Sequence, residues 1–139
     1  MHTTNTPSTF ITVAPDSAAT RGATPPVRDP PSLAARCHAL IAGAPYALSS
    51  DDVLFTAFAD ARAIPPADRP AARAAFFAKG QPCLRASALT KTYGWGVHHD
   101  AEGRVALVGV DDPAYAALAA GRGPAGEALT VVAAMRGRR

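Results

Sequence analysis

The sequence has only two cysteines and no long apolar run. These features argue against a disulfide-bonded extracellular protein and against a membrane-spanning protein. No stretch approaches the roughly 18 apolar residues that a membrane-spanning helix needs. Residues 1–20 lack the basic start and apolar segment of an export signal. Cys37 and Cys83 could pair, but without extracellular features reduced thiols are the default. We therefore expect a soluble protein of the cytoplasm.

Charge of one sign is also scarce outside the C-terminus. The net charge of the 139 residues is +3, and Arg136, Arg138 and Arg139 account for the whole excess. A surface that neutralises many phosphates needs a basic excess spread over the fold, so the charge balance argues against nucleic-acid binding. The length and the 48% hydrophobic content predict one folded domain over residues 1–139, with residues 136–139 as a basic tail.

Capping residues and hydrophobic periodicity predict an α+β domain. Helices begin after Ser32 and Ser49, near Asp68 and after Asp112, and the Pro-rich residues 15–31 form a loop. Strands are predicted at 10–14, 95–99, 104–110 and 129–134, with the second and third joined as a central hairpin. We predict a single two-layer domain with about four mostly antiparallel strands packed against three to four helices. As exposed edges, residues 10–14 or 129–134 could pair across a dimer.

Motifs for cofactors and metals are misplaced or missing. Residues 121–126 spell G-x-G-x-x-G, but they follow an alanine-rich helix and leave too little chain for a βαβ unit, so we expect a flexible loop. His98 and His99 are adjacent in a predicted strand and point to opposite faces, so they do not readily share one ion. We predict neither a cofactor nor a native metal site.

The chemically richest segment covers residues 79–98. It holds both lysines and the only Gln and Trp, and its cations, amide, hydroxyls and rings suit a small anionic or planar ligand. We predict a ligand pocket that includes Lys79, Gln81, Arg85, Thr90, Lys91, Tyr93, Trp95 and His98. The alternative, in which Trp95 belongs to the core and the lysines are solvated, stays open.

Two other functions remain open. Cys83 would serve as a nucleophile if His98 or a neighbouring cation lowered the pKa of its thiol, which would make the protein a cysteine-dependent enzyme. An inert, packed thiol is the more common fate of a cysteine, and no catalytic machinery is identifiable. The arginine tail together with Trp95 could instead bind a protein or a nucleic acid.

Seven sequence blocks carry a resemblance to a known family. They are M-H-T-T-N (1–5), F-I-T-V-A (10–14), S-S-D-D-V-L-F (49–55), F-F-A-K-G-Q-P-C (76–83), L-T-K (89–91), Y-G-W-G-V-H (93–98) and A-M-R (134–136). With these blocks the chain resembles a family of small bacterial proteins known only as domain of unknown function number 6157. The resemblance implies a single domain over the whole chain and no mechanism. It also implies that residues 1–5 are ordered against the fold, with His2 contributing to a pocket.

Overall fold

A four-stranded mixed sheet organises the chain in the computed structural model, which describes residues 1–137. The strands in this part of the chain are β1 (Thr9–Thr12), β2 (Trp95–His99), β3 (Val105–Gly109) and β4 (Thr130–Ala133). Their order is β3-β2-β1-β4. The β1–β2 and β2–β3 pairs are antiparallel, while β1 and β4 are parallel. The predicted α+β class, the mostly antiparallel sheet and the hairpin are confirmed.

Local capping explains where the main helices begin. The α-helices of residues 1–137 are α1 (Leu33–Gly43), α2 (Ser50–Ala61), α3 (Arg69–Phe77), α4 (Ala88–Lys91) and α5 (Tyr115–Ala119). The Ser32 hydroxyl accepts a hydrogen bond from the Ala35 N–H (3.1 Å) at the start of α1. Ser49 and Asp52 cap α2 reciprocally, since each side chain accepts from the other's backbone N–H. None of these helices is long and apolar enough to cross a membrane.

The two faces of the sheet carry different contents because side chains alternate along each strand. Ile11, Val97 and Val105 lie on the face that packs against α1, α2 and α4, together with Cys37 and Leu89. On the opposite face a smaller cluster forms from Phe10, Val108, Tyr115, Leu118 and Leu129. The face that carries Ile11 therefore packs against the main hydrophobic core, and the short α5 covers part of the opposite face.

The prediction that residues 10–14 form an exposed edge is wrong. β1 lies between β2 and β4, and Thr9 is only 5% exposed. Both sides of β1 already have ladder partners, so this strand offers no free edge to a second copy. Of the two predicted edges, only the one at residues 129–134 remains, because β4 is the outermost strand on that side.

Gly96 offers a test of this packing. A Cβ at this position would lie 2.5 Å from Cζ of Phe10 and 2.9 Å from Cε2 of Tyr115. These two rings already pack edge to face at 5.3 Å, so neither can retreat freely. We expect Gly96→Ala to lower the free energy of unfolding by about 1–3 kcal/mol in urea titrations.

The matched control is Gly43→Ala in α1, where an added Cβ would meet nothing within 4 Å. Because alanine is the better helix former, we expect this variant to be as stable as the parent or slightly more stable. Equal stability of the two alanine variants would contradict the packing described for the α5 face.

Candidate functional site

The predicted site residues do not meet in one cavity, and three of them lie around α3. Lys79 and Gln81 line a cavity between α2 and α3, where the Gln81 amide donates to the Phe76 carbonyl (2.7 Å). His2 lines a separate cavity of about 640 Å³, and its backbone N–H donates to the Phe77 carbonyl (2.8 Å). Residues 1–5 are thus ordered against the fold, with His2 at a cavity, as the family resemblance implied.

Tyr93 and Trp95, the aromatic residues of the predicted pocket, form hydrogen bonds with the Pro-rich loop of residues 15–31. The Trp95 indole N–H donates to the Ala23 carbonyl (2.9 Å), and the Ala23 N–H donates to the Tyr93 carbonyl (2.8 Å). The indole lies so close over Gly22 that a Cβ there would be 2.8 Å from the ring. Trp95 is therefore a packing residue. Two further predicted residues belong to α4, where Thr90 is fully buried with its hydroxyl on the Leu84 carbonyl (2.7 Å) and Lys91 is half-buried at the helix end.

His98 lies on the α5 face of the sheet, away from Cys83. Its Nδ1 atom is 2.8 Å from the Tyr46 hydroxyl, and the two rings pack edge to face. Burial lowers the pKa of His98, and the charges of Glu127 and Asp100 partly oppose this shift. The pairing of Cys83 with His98 that the sequence suggested is therefore wrong, because strand alternation turns His98 to the other face.

A cavity of about 330 Å³ lies beneath the N-terminal segment and is lined by several chemically reactive or polar side chains. Five threonines, two apolar side chains, a thiol, a guanidinium and an imidazole line it, so we call it the threonine pocket. Its residues are Thr3, Thr4, Thr6, Thr9, Ile11, Cys83, Arg85, His99, Thr130 and Val132. Of the predicted residues, it brings together Cys83 and Arg85 and adds His99.

The register of the sheet sets the floor of the threonine pocket. Thr9 of β1 is opposite both His99 of β2 and Thr130 of β4, and Ile11 is opposite Val132. Paired residues in adjacent strands share a face, so these five side chains point to the same side. The floor therefore combines two hydroxyls, one imidazole and two apolar side chains.

A buried carboxylate holds the N-terminal wall of the pocket in place. Asp51, in the first turn of α2, accepts hydrogen bonds from the Thr3 hydroxyl (2.6 Å) and from the Thr4 backbone N–H and hydroxyl (both 2.7 Å). In return the Asp51 N–H donates to the Asn5 side-chain oxygen (2.9 Å). The sequence pattern identified Asp51 only as a helix-start residue and missed this role.

Arg85 brings the only charge that lines the threonine pocket within residues 1–137. Its Nε–H donates to the Ala133 carbonyl (2.8 Å), and its own carbonyl accepts from the Met135 N–H (2.8 Å). These bonds fix Arg85 beside the end of β4 while the side chain stays exposed. No carboxylate from the described residues lines the pocket itself, and Asp51 lies directly behind the Thr3 and Thr4 hydroxyls.

His99 is a polar group that is almost completely removed from water. It is 1% exposed, and its Nδ1 atom has no hydrogen-bond partner among the described residues. Burial lowers the pKa of His99 to about 4, although backbone groups of Val97 and Thr9 favour the charged form. At neutral pH the ring is uncharged, with one N–H donor and one acceptor nitrogen. Its alternation with Val97 and Trp95 was the available signal that His99 faces the core side.

The remaining motifs add no second centre. Within residues 1–137, no group of three or more His, Cys, Asp or Glu side chains is placed to hold a metal ion. Residues 121–126 form a turn between α5 and β4, in which the Gly123 N–H donates to the Glu127 carbonyl (2.8 Å). Arg138 and Arg139 of the predicted basic tail lie outside the described residues.

Comparison with known families gives a match over the whole chain. The model described as "Family of unknown function (DUF6157)" matches residues 1–139. The chain therefore belongs to this family, as its sequence blocks indicated. No curated protein and no solved structure matches the chain. The function has to be argued from the geometry of the site.

The buried imidazole of His99 makes stability depend on pH. Between its ordinary pKa of 6.5 and the folded value of about 4, the unfolded chain binds a proton that the folded chain does not bind. The free energy of unfolding therefore has its full value, as far as His99 is concerned, above pH 6.5. It falls as the pH falls, and the loss reaches roughly 3 kcal/mol at pH 4. We expect His99→Gln to flatten this decline in urea titrations. His2→Gln, at an exposed histidine, should leave it unchanged, and parallel profiles for all three proteins would contradict the assignment.

The two free thiols should react very differently. Cys37 is 1% exposed and burial raises its pKa to about 11, whereas Cys83 is half-buried at the threonine pocket. We expect iodoacetamide to modify Cys83 in the folded protein and Cys37 only on unfolding, as measured by peptide mass spectrometry.

Asp51→Asn weakens the N-terminal wall of the threonine pocket and should increase the rate of Cys83 modification severalfold. An unchanged rate in a folded Asp51→Asn protein would show that the wall does not limit access.

Proposed function

We propose that this family member binds a small anionic molecule, a carboxylate or a phosphate, in the threonine pocket. The observation that carries the proposal is Arg85, a lone cation on a cavity that no acidic side chain of residues 1–137 lines. A guanidinium binds carboxylate and phosphate through paired N–H groups. The ligand class agrees with the prediction from the sequence, but most of its residues differ.

The neutral groups of the pocket narrow the choice of ligand. The Thr3 and Thr4 hydroxyls donate to Asp51 and accept from the Asn5 N–H and the Ser50 hydroxyl, respectively. The Thr9 hydroxyl donates to the Pro7 carbonyl, so these three oxygens offer a ligand only their remaining acceptor lone pairs. Arg85 and the His99 ring supply donors. An anion that also carries a hydroxyl group would use both sets, and a short apolar part would contact Ile11 and Val132. A hydroxycarboxylate fits this description best.

Because the imidazole of His99 is uncharged and weakly basic, ligand binding is a better-supported function for this pocket than cysteine catalysis. This ring is the imidazole that shares the pocket with Cys83, but with a pKa of about 4 it is a weak base at neutral pH. A thiol needs a stronger base or a cationic imidazole beside it to become a ready nucleophile. The two free cysteines also favour a reducing compartment, and we propose the cytoplasm.

Protection of Cys83 from alkylation provides the test. Malate, acetate and inorganic phosphate serve as anionic probes, and choline serves as the cationic control. We expect malate to slow the reaction of Cys83 with iodoacetamide in a saturable way, more strongly than acetate. Stronger protection by phosphate would instead assign the pocket to phosphorylated ligands, and no protection by any anion would contradict the proposal.

Two variants and one matched control assign the effect to the pocket. Arg85→Gln should weaken anion protection by at least about tenfold, the size expected for a lost charge-assisted hydrogen bond. Thr130→Val alters an exposed lining residue without a change of volume and should weaken malate more than acetate. Lys91→Gln removes a cation of α4 that does not line the pocket and should change nothing. Equal protection of all four proteins would exclude this site.

A further inference from the structure

A second concave surface lies between α2 and α3, separate from the threonine pocket. It consists of two adjoining cavities of about 380 and 450 Å³ that share Phe58, Arg62, Phe76 and Gln81. Leu33 and Leu54 line the first cavity, and Lys79 lines the second. We call this surface the aromatic groove.

The walls of the aromatic groove are apolar and partly uncovered. The Phe58 and Phe76 rings pack against each other with centroids 4.6 Å apart. Leu33 at the rim is 60% exposed, and Leu54 lies at the edge of the main core. Each cavity falls within the volume range of small-molecule sites, which are mostly apolar with a few polar groups.

The charged groups of the groove are all cationic. The Arg62 guanidinium lies 4.1 Å above the centroid of the Phe58 ring, and Lys79 is exposed. The acids of α2 are engaged elsewhere, since Asp60 pairs with Arg69 and Asp52 with Arg73, both at 2.9 Å, and Asp51 accepts from Thr3 and Thr4. Neither Arg62 nor Lys79 forms a salt bridge with any residue of 1–137.

We propose that the aromatic groove binds a free carboxylic acid with an apolar tail. The tail would lie against Leu33, Leu54 and the two phenyl rings, and the carboxylate would pair with Arg62 and Lys79. Charge complementarity carries this assignment, because two unpaired cations border an apolar surface with no acid from the described residues.

Calorimetric titration with dodecanoate below its micelle-forming concentration tests the proposal on the full chain. We expect saturable binding of one dodecanoate, much weaker binding of acetate and no binding of dodecyltrimethylammonium. Arg62→Gln with Lys79→Gln should weaken dodecanoate by at least about tenfold. The positions are exposed, so we expect the fold to persist, as circular dichroism would verify.

The controls separate this site from non-specific apolar binding and from the threonine pocket. Lys91→Gln should bind dodecanoate like the parent, and dodecanoate should leave the alkylation rate of Cys83 unchanged. Leu33→Asn should weaken dodecanoate and spare hexanoate. Equal binding of the cationic detergent, or unchanged affinity in the double variant, would overturn the proposal. Binding of an acidic amphipathic peptide without binding of dodecanoate would also overturn it and assign the groove to a protein partner.

Discussion

The threonine pocket depends on the buried carboxylate of Asp51. A negative charge in the first turn of a helix is stabilised by the free N–H groups and the dipole there, so α2 can keep this acid away from water. Asp51 uses its oxygens on Thr3 and Thr4 and thereby ties a chain terminus to the start of a core helix. Without that tie, residues 3–6 would lose the hydrogen bonds that hold them over the sheet. The pocket would then be an open face of the sheet.

The alternation of side chains along β2 divides the polar groups of the sheet between two environments. His98 packs against Tyr46 on the α5 face, and His99 lies on the face of the main core. Burial lowers the pKa of both rings, so both are neutral at neutral pH. A neutral imidazole suits a binding surface because it donates and accepts hydrogen bonds without a charge of its own. Among the described residues that line the pocket, Arg85 is then the one that carries a charge.

Local signals in the sequence predicted the elements of the fold, and long-range pairing decided the rest. Ser32 and Ser49 correctly predicted where α1 and α2 begin, because a helix cap acts within one turn of the chain. No local signal shows that β1 pairs in parallel with β4, about 120 residues away, so its central position was missed. The residues that were predicted to form one pocket lie apart for the same reason. Trp95 and Lys79 are close in sequence, but the indole is occupied by the distant Ala23 and the lysine points to another surface.

Reactive side chains cluster in residues 79–85 because this segment lines two separate cavities rather than one site. This segment is a wall between two cavities, with Gln81 and Pro82 on the aromatic groove and Cys83 and Arg85 on the threonine pocket. Gln81 donates to the Phe76 carbonyl, Arg85 donates to the Ala133 carbonyl, and Leu84 is fully buried in the main core. The segment is thus attached to α3, to β4 and to the main core. The two surfaces should therefore bind independently, although one short stretch of sequence supplies both.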